Sequence, residues 1–253
     1  MKLRFGVLLL LIAVSLFMQQ VLHMDLLNTI LTLLAAYVIF FWLFNFFRKR
    51  VHETNLNPDA YIRINRIAAA YSRTGSKAET SSKLAVAQGL IDRGDIRDAK
   101  QELADVSDRM ERQIPSTQHL YKIIDGYIHL FAKNPKGALK AAVKSPLDGR
   151  IHEAQKREVA FVRALTYLSL KDKVNAEHQI ALLNEPKNNR QQLQRLFAYG
   201  WYLHLTGDSD RTIQAMQPII ENGRKLWLAK EAEVLKTAAE TRKEYTPWTS
   251  VSV

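Results

Sequence analysis

A chain of 253 residues and 29.0 kDa has room for a small membrane module and one soluble domain of roughly 200 residues. The absence of cysteine excludes a disulfide framework and any thiolate zinc or iron–sulfur centre. The formal net charge is +11, with +4 in residues 1–50 and +7 beyond. Lys and Arg are nevertheless scattered among Asp and Glu, without the basic stripe or interleaved aromatics of a nucleic-acid surface, so no nucleic-acid partner is expected.

The chain opens on an apolar run from Phe5 to Met18, broken only by Ser15 and extended past Gln19 and Gln20 by Val21, Leu22 and Met24. As a helix, Phe5–Met24 reaches about 30 Å, the thickness of a bilayer's hydrocarbon core. A second run, Leu26–Phe47, ends in Phe40, Phe41, Trp42, Phe44, Phe46 and Phe47, followed directly by Arg48-Lys49-Arg50. Interfacial aromatics before a basic triplet form a stop signal. Lys2 and Arg4 precede the first run, and the connection at Gln19–Asp25 has neither Lys nor Arg. The positive-inside rule then predicts two spans in the plasma membrane with both termini cytoplasmic. Arg48, Lys49 and Arg50 are also suited to anionic lipid headgroups at the membrane surface. A cleaved leader over residues 1–22 is the competing interpretation, but no small-x-small site follows the run. Asn28, Thr29, Thr32 and Asn45 are read as interhelical or interfacial hydrogen-bonding groups rather than a substrate path.

Residues 1–50 thus form a predicted transmembrane hairpin and 51–57 a polar linker. Asn57 then caps a helix that Pro58 begins. From 58 to 243 the periodicity is helical, and one frame recurs. A small residue in a first helix stands at Ala87, Gly126, Ala164 and Gly200, with spacings of 39, 38 and 36. A second stands at Ala99, Ala138, Ala176 and Thr212 with the same spacings. Between them lie turns at Gly94-Asp95, Asn134-Pro135, Lys171-Asp172 and Gly207-Asp208. Two antiparallel helices approach closely only where side chains are small, and one such pair cannot bury its apolar face alone. First-helix faces carry that apolar spacing, as in Leu193, Leu196, Phe197, Gly200, Trp201 and His204. Pro58–Arg73 and Lys225–Lys243 read as flanking caps, and 244–253 as a flexible tail.

The frame resembles the tetratricopeptide repeat family, in which a small first-helix residue, a Gly-Asp-like turn and a second-helix Ala recur about every 34 residues. The matching positions are Ala87, Leu90, Gly94, Asp95 and Ala99, then Gly126 and Ala138. Ala164, Tyr167, Ala176 and Pro186 follow, then Gly200, Gly207 and Asp208. The likeness covers residues 80–222. It departs from the family in longer spacings, a missing early Trp, Thr212 in place of Ala, and Pro218 within a second helix, which should shorten or kink it. Together with the two apolar runs of residues 1–50, the resemblance implies an all-α protein: two transmembrane helices followed by an α-solenoid of about four such hairpins with flanking helices. It also implies a groove lined by first helices, with Tyr127, Phe161, Phe197, Trp201 and His204 as partner-binding residues; the same side chains would otherwise fill the interior of a tightly wound stack.

No phosphate loop, HExxH or calcium-loop pattern is present, and the seven His are dispersed. No catalytic residue, metal ligand or cofactor is therefore assigned, and the expectation is not an enzyme. The expected role is a bacterial membrane-anchored scaffold binding a protein partner. The alternatives are a regulatory or sensing subunit of an integral membrane complex and an enzyme with an unrecognised site.

Overall fold

The computed structural model describes residues 20, 25–143, 153–249 and 251; apart from Gln20, the expected first span lies outside them. Among the described residues the structure is all-helical, with no strand. Packing divides the chain into two units, Met1–Arg50 and Val51–Val253.

One helix near the N-terminus, α1 (Leu26–Glu53), is long and apolar enough to cross a membrane. Its mean hydropathy is 2.2 and none of its apolar window is buried. Asp25 caps it, accepting from the Asn28 backbone N–H at 2.8 Å and from the Asn28 side chain at 2.9 Å. Thr29 and Thr32 hydroxyls and the Asn45 amide donate to carbonyls four residues back, at 2.8–2.9 Å. These polar side chains are thus satisfied on their own helix, as a helix crossing lipid would require. Tyr37–Phe41, Phe40–Phe44 and Trp42–Phe46 stack along it at i, i+4.

Residues 51–57, expected as a loose linker, are built into the second unit. Val51 packs with Tyr61 and Ala85, the His52 ring stacks on Tyr61 at 4.2 Å, and Leu56 is buried. Only the polar residues of the segment had weight in the sequence; its two apolar side chains decide its fate. Asn57 does cap α2 (Pro58–Tyr71), accepting from the Ala60 N–H at 3.1 Å.

Eight helices then form four hairpins: α3 (Lys77–Arg93) with α4 (Ile96–Ala104), α5 (Pro115–Phe131) with α6 (Pro135–Val143), α7 (Glu153–Ser169) with α8 (Lys173–Ala181), and α9 (Asn189–Thr206) with α10 (Ser209–Asn222). One turn geometry serves all four. A left-handed residue (Gly94, Lys133, Lys171, Gly207) precedes an Asx residue whose N–H bonds five residues back. These bonds are Asp95 to Leu90, Asn134 to His129, Asp172 to Tyr167 and Asp208 to Leu203, at 2.9–3.0 Å. This closure satisfies the carbonyls left open at each first helix's end. It also shifts the second turn one residue earlier than the sequence suggests, to Lys133-Asn134.

The small positions sit where the paired helices meet. Ala87, Ala99, Ala138, Ala164, Ala176 and Thr212 have no exposed surface, and Gly126 and Gly200 are buried. A Cβ on Gly126 would stand 3.2 Å from Val162 Cγ1. Thr212 stands where the other hairpins have Ala; its hydroxyl donates to the Asp208 carbonyl one turn back at 2.7 Å and lies 3.3 Å from the Gly200 carbonyl across the hairpin. Enlarging such a position overpacks the interface, so Ala164→Leu should cost about 1–3 kcal/mol in denaturant unfolding. Helix α10 continues past Pro218 to Asn222, so the expected shortening does not occur. First helices of successive hairpins touch: α3 with α5, α5 with α7, α7 with α9.

The C-terminus departs most from expectation. Helix α11 (Trp227–Glu240) keeps a polar outer face, with Lys230, Glu233, Thr237 and Glu240 exposed, but it does more than cap the last hairpin: it packs on α10 and also reaches the first helices α3 and α9. Over its described residues the tail is seated, with Tyr245 and Trp248 buried. Its anchor is Glu231, a carboxylate with no exposed surface, which accepts from the Tyr245 hydroxyl at 2.5 Å and the Trp248 N–H at 3.1 Å. Aromatic side chains drive this docking, because they have the most apolar area to remove from water.

Candidate functional site

The five residues predicted to line a groove meet two different fates. Tyr127, Phe161, Phe197 and Trp201 are all buried, at 3% exposure or less. What covers Phe197 and Trp201 is the chain's own C-terminus. Trp227 lies 5.5 Å from Phe197, Trp248 lies 5.5 Å from Trp201, and Tyr245 lies 5.0 Å from Trp201, all edge-on. Phe131 joins them, 5.1 Å from Trp227 and 5.0 Å from Trp248. His204, one turn beyond Trp201, remains half-exposed.

Tyr127 belongs instead to a buried polar cluster that sequence reasoning missed. Arg190, on the first turn of α9, lies between Asp92 on α3 and Glu158 on α7. Its Nη2 donates to Asp92 Oδ1 at 2.8 Å and its Nε to Oδ2 at 3.2 Å, while its Nη1 donates to Glu158 Oε1. Gln194 Nε2 and the Tyr127 hydroxyl also donate to Glu158, at 3.2 and 3.0 Å. His52 Nε2 meets Asp92 Oδ2 at 2.6 Å. The signal was present in the sequence: Arg190, Gln194, Phe197 and Trp201 share one helix face, as do Glu158, Phe161 and Leu165. A charge set on an apolar stripe must find a partner inside.

These groups are locked rather than poised. Burial pushes the Asp92 carboxyl up, but the Arg190 charge and the His52 hydrogen bond outweigh it and leave a pKa of about 2. Burial opposes the Arg190 charge too, yet Asp92 and Glu158 together raise its pKa. Burial and the Glu158 charge push the Tyr127 phenol well above its ordinary value. At neutral pH Asp92 is ionised, Arg190 protonated and Tyr127 a neutral donor, an arrangement suited to holding α3, α5, α7 and α9 in register.

His204 and Trp201 do reach a cleft of about 800 Å³ at the closed ends of the last two hairpins. Leu168, Trp201 and Leu205 form its apolar part; Lys171, Lys173, Arg242 and Lys243 stand around it with Asp208, Asp210 and Glu244. Lys171 pairs with Glu244 at 2.6 Å. Burial lowers the His204 pKa, partly offset by a hydrogen bond to the Lys243 carbonyl, so the imidazole is neutral at pH 7. No group of three or more His, Asp or Glu suited to a metal occurs among the described residues.

No family model, curated protein or solved structure matches the chain. The cleft combines a small apolar floor with charges of both signs and a neutral imidazole.

Proposed function

We propose that this protein is a membrane-anchored scaffold: two N-terminal spans hold a solenoid of four tetratricopeptide-like hairpins at the cytoplasmic face, where its last two hairpins bind a segment of a protein partner. The observation that carries this reading is the four-fold recurrence of one turn, with small residues buried at matching positions, on a chain with a membrane-length apolar helix. Stacked hairpins of this kind commonly serve as binding surfaces, and tethering raises the effective concentration of whatever they hold near the bilayer. Partner contact is assigned to His204 and the exposed edge of the cleft, with Phe197 and Trp201 supporting its floor. No catalytic step is part of the proposal.

A second reading, a subunit that senses the state of an integral membrane partner, draws on one observation. The last turn of α1 supplies His52 to the Asp92–Arg190 cluster and Glu53 to Asn188, which donates to it at 3.2 Å. A displacement of that turn would be felt by α3 and α9.

A photo-crosslinking residue at His204 in native membranes tests the first reading, with one at Val38 in α1 as the comparison. The scaffold reading expects a soluble protein captured from position 204. Capture of an integral protein from position 38 alone would replace it with the sensing reading. Topology is checked separately: with no native cysteine, Val174→Cys should resist an impermeant maleimide in intact cells and react after permeabilisation. Reaction in intact cells would reverse the orientation.

A further inference from the structure

The face of α2 turned away from α3 combines basic and apolar side chains. At 100° per residue, Arg63, Arg66, Ile67, Ala70 and Tyr71 share one side of the helix, opposite the buried Tyr61, Ile62 and Asn65. All five are exposed, Ile67 at 50% and Tyr71 at 49%. Residues 60–78 contain four Lys or Arg and no Asp or Glu. Widened to 48–78, the stretch holds seven basic and two acidic residues, a net +5 against +11 for the whole chain. Of the two acids, Asp59 is already bound by Arg93 at 3.1 Å and Lys225 at 2.5 Å. Glu102 on α4, which lies in the field of Arg66, is shared with Lys83.

We propose that this outward face of α2 rests on an anionic lipid surface, with Arg63 and Arg66 meeting headgroup phosphates and Ile67 and Tyr71 entering the interface. Guanidinium groups match phosphate oxygens in a planar fork, and their stems lie along apolar surface while the charge stays wet. Tyr is an interfacial residue for the same reason, an apolar ring with a polar tip. Such a face is too weak to hold a protein at a bilayer alone, because stable attachment takes two signals. The apolar helix α1 supplies the other, and only residues 48–57 separate its apolar run from α2, 48–53 of them still helical. Lipid is the one acidic, partly apolar surface that such a tether keeps permanently within reach. The proposal rests on the anchored reading of α1 but not on the identity of any protein partner.

The full chain in nanodiscs provides the test, because the lack of native cysteine allows single labels. An environment-sensitive fluorophore is placed by Val38→Cys, Ile67→Cys or Val174→Cys, and a lipid nitroxide near the headgroups serves as quencher. In bilayers containing phosphatidylglycerol, the label at 67 should shift to the blue and be quenched, while the label at 174 stays in water. Arg63→Gln with Arg66→Gln should lower the docked-to-free ratio about 30-fold, since each basic residue near such a surface is worth roughly 1 kcal/mol. A label at 67 that behaves like the one at 174, with the label at 38 deep in lipid, overturns the proposal alone. A label at 38 that stays in water overturns both it and the anchored reading. Equal docking on phosphatidylcholine overturns the recognition of anionic headgroups.

Discussion

Replacing Arg190 with methionine should cost about 3–5 kcal/mol, because it leaves two buried carboxylates facing each other without their cation. Asp92 and Glu158 are 4% and 8% exposed, so water cannot take over the role of the guanidinium. Chemical unfolding of the full chain in detergent, followed by far-UV circular dichroism, reads the loss. Arg190→Lys should recover little, since an ammonium cannot bond both carboxylates with a planar fork. Adding Asp92→Asn and Glu158→Gln to Arg190→Met should recover much of it by removing the unpaired charges.

The same variant should change the pH dependence of stability. In the native chain the Asp92 pKa is about 2 against an ordinary 3.8. A depressed carboxylate contributes stability that is complete above its unfolded value and is lost as pH falls through the folded one, here on the order of 2 kcal/mol between about pH 4 and 2. Without Arg190 the Asp92 pKa rises from that value, because burial is then opposed by His52 alone. The variant therefore has less of this stability to lose as pH falls, and the two curves converge toward acid. Parallel curves down to pH 3 would show that Arg190 does not set the ionisation of Asp92.

Trp248→Ala should cost about 3–5 kcal/mol, the range for deleting a large buried aromatic side chain. Trp248 stands among Phe131, Trp201 and Trp227, with centroids 5.0–5.6 Å away, and its backbone N–H bonds to Glu231. Truncation after Lys243 goes further. It removes Tyr245 as well, strips Glu231 of two hydrogen bonds and uncovers apolar faces of Phe131, Trp201 and Trp227. Binding of a hydrophobic dye and a lowered melting temperature are the expected readouts. A truncated chain that melts like the full one would mean that the tail merely covers the first helices and that the uncovered face is free to act as a groove.

The parts of this protein that a reader of the sequence could find are those encoded within one helix or one turn. Leu26–Phe47 stands out because an uncharged apolar run of that length marks a helix long enough to cross a membrane. The hairpins stand out because Ala87, Ala99 and their counterparts must be small wherever two helices joined by a short turn approach each other. Even the errors there were local: the turn at Lys133 was misplaced by one residue, since neither Lys133 nor Lys171 advertises the left-handed conformation that Gly94 and Gly207 do.

The buried cluster and the seated tail belong to a different class. Asp92 and Arg190 lie 98 residues apart, and His52 lies 40 from Asp92. Helical spacing places each on an inward face, but it does not say which face of which helix arrives opposite. Trp227, Tyr245 and Trp248 were equally visible as large apolar side chains near a chain end. Their destination depended on a surface that exists only after α3, α5, α7 and α9 have come together. Periodicity dictates which side of a helix avoids water; only the assembled stack decides what that side meets, because contact between distant segments is a property of their joint geometry and not of either one.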